Sequence, residues 1–321
     1  MRQILQNAIT IVPQLNHDER IQLTKVLSSI ADIKKVCDVV ETIQDTNHHC
    51  PHCGSTKIYK HGIRSYLQRY RCGSCKRTFN SLTKTPLARL RKKEQWLSYL
   101  DCMLNSFTIR QSASITKTNK KTAFLWRHRF TKWLSKDKPS ELSGIIEADE
   151  TYYRYSFKGR KHLPKESHKR GNDKAIRGLS KRQVCVFIAC DRSNQDIEII
   201  AGLGSVPKSW LKTHFIPIIA KDAVLVTSEH KSYDFIKKDK NIEHIVVKDE
   251  KGKKVLGSYH IQHINDYHHR LRDWINHKFH GVATKYLTHY LSWRHELEKK
   301  TMTPISILAL AVGINPPLTG T

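Results

Sequence analysis

The sequence is short of acid. Only 29 of its 321 residues are Asp or Glu against 56 Lys or Arg, a formal charge of +27. An excess of this size calls for a polyanionic partner, most simply nucleic acid. A basic chain kept soluble by self-repulsion would give the same sum, but here the bases cluster beside recognisable modules. Long apolar runs are also missing. None approaches the ~18 residues of a membrane span, and the longest, 305–312, reads as a short core helix. No membrane partner is expected. The N-terminus has Arg2 but no apolar stretch with a small-residue cleavage site, so no secretory signal is expected. Eight cysteines in a chain of this length do not make a disulfide framework, and a reducing, cytoplasmic setting follows. The 39% apolar content is low for a globular protein but too high for a disordered one. The length predicts about two domains.

The pattern along the chain is multidomain, α+β and α/β. Residues 1–47 read as a helical segment: Pro13 separates two helices, and acids after Asn16 open the second, with Ile21, Leu23, Val26, Leu27 and Ile30 at helical spacing. Residues 48–85 change to short Tyr- and Arg-rich segments punctuated by glycine, with strands expected at 57–59 and 66–71. Residues 86–140 are helical again. From 141 to 300 strand and helix patterns alternate: strands at 144–149, 183–189, 196–202, 223–227 and 244–248, helices at 208–219 and 231–238, then a helical stretch from 263 to about 299. A basic insertion at 156–182 has hardly any core residues and reads as a loop or hairpin. Residues 301–321 form a last helix, opened by Thr303-Pro304 and closed by Gly313, and a tail.

Two motifs carry chemistry near the N-terminus. Cys50-Pro-His-Cys53 and Cys72-Gly-Ser-Cys75 enclose 18 residues, the spacing of a closed four-thiolate Zn²⁺ site, structural rather than catalytic. The bases around it suggest phosphate contact. His48, His49, His52 and His61 read as solvated or phosphate-facing, and Cys37, Cys102, Cys185 and Cys190 as small core residues. The stretch 107–130 has a helix-turn-helix cadence, with a turn at 115–117 and Thr118 able to cap the second helix. That helix offers Asn119, Lys120, Lys121, Arg127 and Arg129 to the major groove and its phosphates. In the basic insertion, Lys158, Arg160, Lys161, Lys169 and Arg170 are further DNA-contacting candidates. The expected partner is double-stranded DNA.

Asp149 ends the first strand of the α/β region, and Glu147 shares its strand face by the period of two. A carboxylate at a strand end in so basic a chain can hold Mg²⁺ for phosphodiester chemistry. The series ADETYYRYSFKGRK, HKRG, RGLSKRQVCVFIACDRS, VLVTSEHKSY, YHIQHINDYHHRLRDWI and FHGVATKYLTHYLSW resembles the insertion-sequence transposases of the ISXO-like group, whose site motif is written DDE or DDNK. The N-terminal modules match in the same order, so the likeness runs over roughly residues 20–300.

The resemblance implies a ribonuclease-H-like catalytic domain at 141–300 and a DDE-type polynucleotidyl transferase of a prokaryotic insertion sequence, acting on the nucleoid. It implies binding of terminal inverted repeats and target DNA, a homodimer on paired ends, and strand cleavage and transfer with Mg²⁺ or Mn²⁺. Asp149 matches the first Asp, and Asn265 the Asn of the family's HxN motif. His268 stands where related groups show Glu, and Arg272 falls near the family's Lys. The second Asp is replaced: Ser228 occupies its position and Glu229 follows. Two readings stay open. Either Glu229 serves from a bulged strand end, or the copy has lost catalysis and keeps DNA binding.

Overall fold

The computed structural model describes residues 2–132, 134, 141–163, 178–193, 195–236, 242–247, 255–299 and 301–313. They divide into two compact units, residues 1–133 with the segment from 301, and residues 134–300.

The first unit opens with helices α1 (Arg2–Ile11) and α2 (His17–Asn47). Asn16 starts α2 through a capping box: its Oδ1 accepts from the Glu19 amide at 3.0 Å, and its own amide donates to the Glu19 carboxylate at 2.8 Å. A three-stranded antiparallel sheet follows, β1 (Ile58–Arg64), β2 (Leu67–Cys72) and β3 (Thr78–Phe79). Glu41 of α2 ties the helix to it, accepting from the Gln68 amide at 3.0 Å and the Ser81 hydroxyl at 3.2 Å. Helices α3 (Trp96–Leu104), α4 (Ile109–Ile115) and α5 (Lys120–Thr131) complete the unit's central section. Their core is aromatic: Trp96, Tyr99, Trp126 and Phe130 are all buried, and the Tyr99 hydroxyl donates to the Ala123 carbonyl. The cap of α5 is Asn119 rather than Thr118, its side chain accepting from the Lys121 amide at 2.8 Å. Thr118 is turned to Thr116 instead, their hydroxyls 3.0 Å apart.

The second unit is a mixed α/β structure. Strands β4 (Ile145–Arg154), β5 (Gln183–Asp191) and β6 (Asp196–Leu203) are antiparallel neighbours. Helix α6 (Lys208–His214) leads to β7 (Val224–Ser228) and β8 (Glu243–Val247), which run parallel to β4 on its other side. The sheet order is β6-β5-β4-β7-β8. The helix expected at 231–238 is a single turn, Lys231–Tyr233, in its described part. A short ribbon, β9 (Val255–Leu256) and β10 (Tyr259–His260), precedes helices α7 (Gln262–Asp273) and α8 (Leu287–Glu298). The π-helical turn Trp274–Lys278 ends the run of α7 and breaks the continuous helical stretch expected to 299.

The period of two sorts β4 into faces. Ile146, Ala148 and Tyr152 join the apolar core with Leu211 and Phe215 of the α6 segment. Glu147, Asp149 and Thr151 face α7. On the α7 side the core is closed by Trp274, Phe279 and Trp293, with ring centroids 4.7 and 4.9 Å from Trp274. Helix α9 (Pro304–Val312) belongs to the first unit, packing on α2, α3 and α5. Thr303 and Ser306 form its capping box, and Gly313 closes it at φ 88°.

Candidate functional sites

The two CxxC segments fold into matching knuckles. In the first, the Gly54 amide donates to the Cys50 carbonyl and the Cys50 amide to the Ser55 carbonyl, both at 2.8 Å. In the second, Lys76 donates to Cys72 at 3.1 Å and Cys72 to Arg77 at 3.0 Å. Gly54 and Lys76 sit at the same point of each turn with φ 76° and 60°. The knuckles bring four sulfurs together. Cys50 Sγ lies 3.7 Å from Cys75 Sγ and Cys53 Sγ 3.6 Å from Cys72 Sγ. All four lie within 4.8 Å of one another. A cation with bonds of about 2.3 Å to four thiolates would set sulfurs about 3.8 Å apart, so the donor set fits one tetrahedral ion. The Cys75 amide donates to Cys72 Sγ at 3.4 Å, and such amide bonds pull the Cys72 thiol down to about 6, toward the ligating thiolate.

The second site lies on the α7-facing side of β4, where three rungs join strand to helix. On the first, buried Glu147 accepts from the Ile264 amide at 3.2 Å. His263 Nδ1 lies 2.7 Å and Arg192 Nη2 3.1 Å from its Oε1. His260 Nδ1 stands 3.5 Å away. Glu147, His260 and His263 group closely enough to hold a metal, but the Arg192 guanidinium already occupies that oxygen as a cation. On the second rung, Asp149 Oδ2 lies 3.8 Å from His268 Nδ1. On the third, Arg272 Nε donates to the Thr151 hydroxyl at 2.8 Å.

A cavity of about 390 Å³ opens beside the second and third rungs, lined by Asp149, Asn265, His268, His269 and Arg272 among others. Four of the five sequence-predicted site residues therefore converge, from segments more than a hundred positions apart. Glu229, the fifth, is exposed beyond the end of β7 and does not line the cavity. Ser228 faces inward, and its hydroxyl donates to Asp149 Oδ1 at 3.1 Å. Burial raises the Asp149 carboxyl, opposed first by the Glu150 amide and then by the Ser228 hydroxyl, His230 and Arg272. Burial and then Arg272 hold the His268 imidazole down to about 4, so it is neutral at neutral pH, with a buried Nε2 that has no hydrogen-bond partner among the described residues. Glu150 points to the opposite face, where the Tyr233 hydroxyl donates to it at 2.6 Å and burial raises it to about 7.

A pair of divalent ions about 3.5–4 Å apart needs shared anionic oxygens. Here Asp149 is met by a hydroxyl, a neutral imidazole and a guanidinium, and this donor set does not fit two such ions.

The predicted DNA-contacting residues divide. Asn119, Lys120 and Lys121 are exposed at the start of α5. Arg127 is not available: it is fully buried, donates to the Phe107 carbonyl at 2.7 Å and lies over the Tyr99 ring. Its place on the buried stripe with Ala123, Trp126 and Phe130 makes it a core residue. Arg129 is half-buried and donates to the Pro86 carbonyl at 3.0 Å. Lys158 turns its ammonium to the carbonyls of Phe279, His280 and Gly281 at 3.1, 3.0 and 2.8 Å, fixing the α7–α8 connection. Arg160 and Lys161 are exposed. Lys169 and Arg170 lie outside the described residues. The sequence reading missed the role of Glu147, whose only signal was its shared face with Asp149.

Residues 141–294, a little under half of the chain, match the model of the ISXO2-like transposase domain, so this part of the chain is similar to the transposases of insertion elements. Beyond the domain, the chain is 25% identical over 246 residues to an uncharacterized protein in transposable element ISH50 of Halobacterium salinarum, covering 76% of this chain and 82% of that one. A pre-cleavage Mos1 transpososome structure aligns at 9% identity over 66% of this chain and 76% of its own, with a TM-score of 0.23. No helix among the described residues is long and apolar enough to cross a membrane.

Proposed function

We propose that this protein binds double-stranded DNA at the terminal inverted repeats of an insertion element. The observation that carries the reading is the exposed start of α5: Asn119 caps it, Lys120 and Lys121 follow the cap, and the same unit holds a complete four-cysteine cluster. On this reading α4 and α5 are a helix-turn-helix with α5 in the major groove, and the cysteine-bearing sheet is a zinc ribbon. Zinc fits four thiolates in a tetrahedron and supplies structure, not a reaction. The ribbon's Lys57, Lys60, Arg64 and Arg69 supply further phosphate contacts.

The second unit is read as a ribonuclease-H-like domain. Its support is the order β6-β5-β4-β7-β8, three antiparallel strands followed by two parallel ones, with Asp149 on the central strand. The cavity holding Asp149, Asn265, His268 and Arg272 favours a site that receives a DNA strand. Exposed Arg160 and Lys161 of the basic insertion add phosphate contacts on this unit, and two chains acting on paired ends make a homodimer the working form. The relative from a transposable element supports action on a mobile element's own DNA in the prokaryotic cytoplasm.

The test is a gel-shift titration of the zinc-loaded protein with duplexes taken from the two ends of its element and with scrambled duplexes of equal length. The reading expects end-specific complexes that are lost in the Lys120→Ala/Lys121→Ala variant. Equal binding to scrambled DNA would defeat it.

A further inference from the structure

Strands β4 and β7 run in parallel, with Ala148 beside Thr227. The next step along both strands sets Asp149, in the middle of β4, beside Ser228, the last residue of β7, with their side chains on one face. A carboxylate at 228 would stand against Asp149 and, with it, clamp a cation. The serine does the opposite. Its hydroxyl donates to Asp149 Oδ1 at 3.1 Å, satisfying that oxygen and adding no charge. On the other oxygen, His268 Nδ1 stands 3.8 Å away, and Arg272 brings a fixed positive charge, held by its bond to Thr151. Of the other carboxylates near it, Glu150 is bonded to Tyr233, Asp273 stands in an exposed pair with His277 at 3.8 Å, and Glu229 is exposed beyond the end of β7. Hard divalent ions take their affinity from charged oxygens, and this arrangement is satisfied without one.

We propose that Ser228 disables the Asp149 centre as a two-metal site, so that the protein holds DNA ends without cutting them, and that restoring one carboxylate at 228 restores cation binding. The Asp149–Ser228 hydrogen bond takes the place of a metal bridge. It keeps the end of β7 against the middle of β4, and the domain remains folded with its cavity open. The loss of the metal site rests on the ribonuclease-H-like reading of this unit and not on the DNA-binding role of the first, whereas the holding of DNA ends rests on that role, so the two parts fail separately.

The experiment is a Mn²⁺ titration of the full-length, zinc-loaded protein without DNA, read by the electron paramagnetic resonance signal of free Mn²⁺. Wild type and Asp149→Asn should titrate alike into the millimolar range. Ser228→Asp should gain a site at least about tenfold tighter, a step of about 1.4 kcal/mol, and Ser228→Asp/Asp149→Asn should lose it again. Wild-type binding of Mn²⁺ that disappears in Asp149→Asn would overturn the proposal. So would a Ser228→Asp protein that keeps the wild-type melting temperature yet gains no site. If Ser228→Asp does not fold, the comparison of wild type with Asp149→Asn still decides. A failed gel shift with these metal results intact removes only the DNA-binding reading.

Discussion

The four-cysteine cluster and the Asp149 cavity are both built to gather donors, and they end differently. The cluster is complete: four thiols, two matched knuckles, and sulfurs at 3.6 and 3.7 Å. The cavity keeps the scaffold but not the charge, with a hydroxyl where a second carboxylate belongs. A local site survives as long as its short motif does. A site assembled from strand β4, strand β7 and helix α7 is undone by one residue, while everything that positions that residue persists.

The largest expected effect lies on the cysteine side. Removing zinc with a strong chelator, or Cys72→Ser, should unfold the sheet and abolish DNA binding, since structural zinc sites in small domains bind with about 10–16 kcal/mol. Metal content by mass spectrometry, read beside a melting curve, checks this. A metal-free protein with an unchanged melt would break the comparison at its strong end.

Next comes Glu147. It is the buried carboxylate that fastens Arg192, His263 and the start of α7 to β4. Glu147→Ala leaves a guanidinium and a helix amide without their partner and should cost about 3–5 kcal/mol in urea unfolding of the second unit. A loss below about 1 kcal/mol would show that α7 is held by its apolar contacts alone.

Glu150 gives a pH signature. Its folded value, about 7, lies above its ordinary 4.5 because burial disfavours the charged form. Its contribution to stability is therefore fully present below about 4.5 and is lost as pH rises through 7. Glu150→Gln keeps an acceptor for Tyr233 and removes the titration, so wild type should lose about 2–3 kcal/mol relative to the variant between pH 4.5 and 8. His268 tilts the other way. Its lowered value gives stability present above its ordinary 6.5 and lost as pH falls toward 4, so His268→Gln should be less sensitive than wild type over that lower range. Parallel curves for wild type and each variant would contradict the assigned burial.

The smallest effect separates contact from packing on α5. Lys120→Ala/Lys121→Ala should weaken DNA binding and lower the salt slope by about 2, roughly 0.9 per phosphate contact, without changing the melt. Arg127→Ala should do the reverse in kind, lowering the melting temperature, because Arg127 is buried among Phe107, Ser112 and Tyr99.

Much of this was legible in the sequence. The CxxC spacing determined the cysteine cluster, because its geometry lies within two short turns. The strand series predicted four of the five sheet strands to within two residues, but β4 runs on to Arg154, so Asp149 lies in its middle and does not end it. Pro13, Thr303 and Gly313 marked real helix boundaries. Arg127 was misread because a charged residue on a helix stripe looks solvent-facing until the carbonyl that receives it is known. Thr118 and Asn119 were interchangeable as caps by type, and only the hydrogen bond to Lys121 separates them. Glu147 was invisible for another reason: its partners come from a turn after β5, a ribbon and a helix, which no local pattern connects. The choice between Ser228 and Glu229 turned on which way a strand end faces, and the hydrogen bond to Asp149 answers it.

The most direct measurement of the central claim puts binding and cutting in one reaction. Zinc-loaded wild type is incubated with labelled duplexes from the element's ends and Mn²⁺, and each sample is divided between a native gel and a denaturing gel. The account predicts an end-specific shifted complex on the first and uncut strands on the second. Cut strands that depend on Asp149 would contradict it.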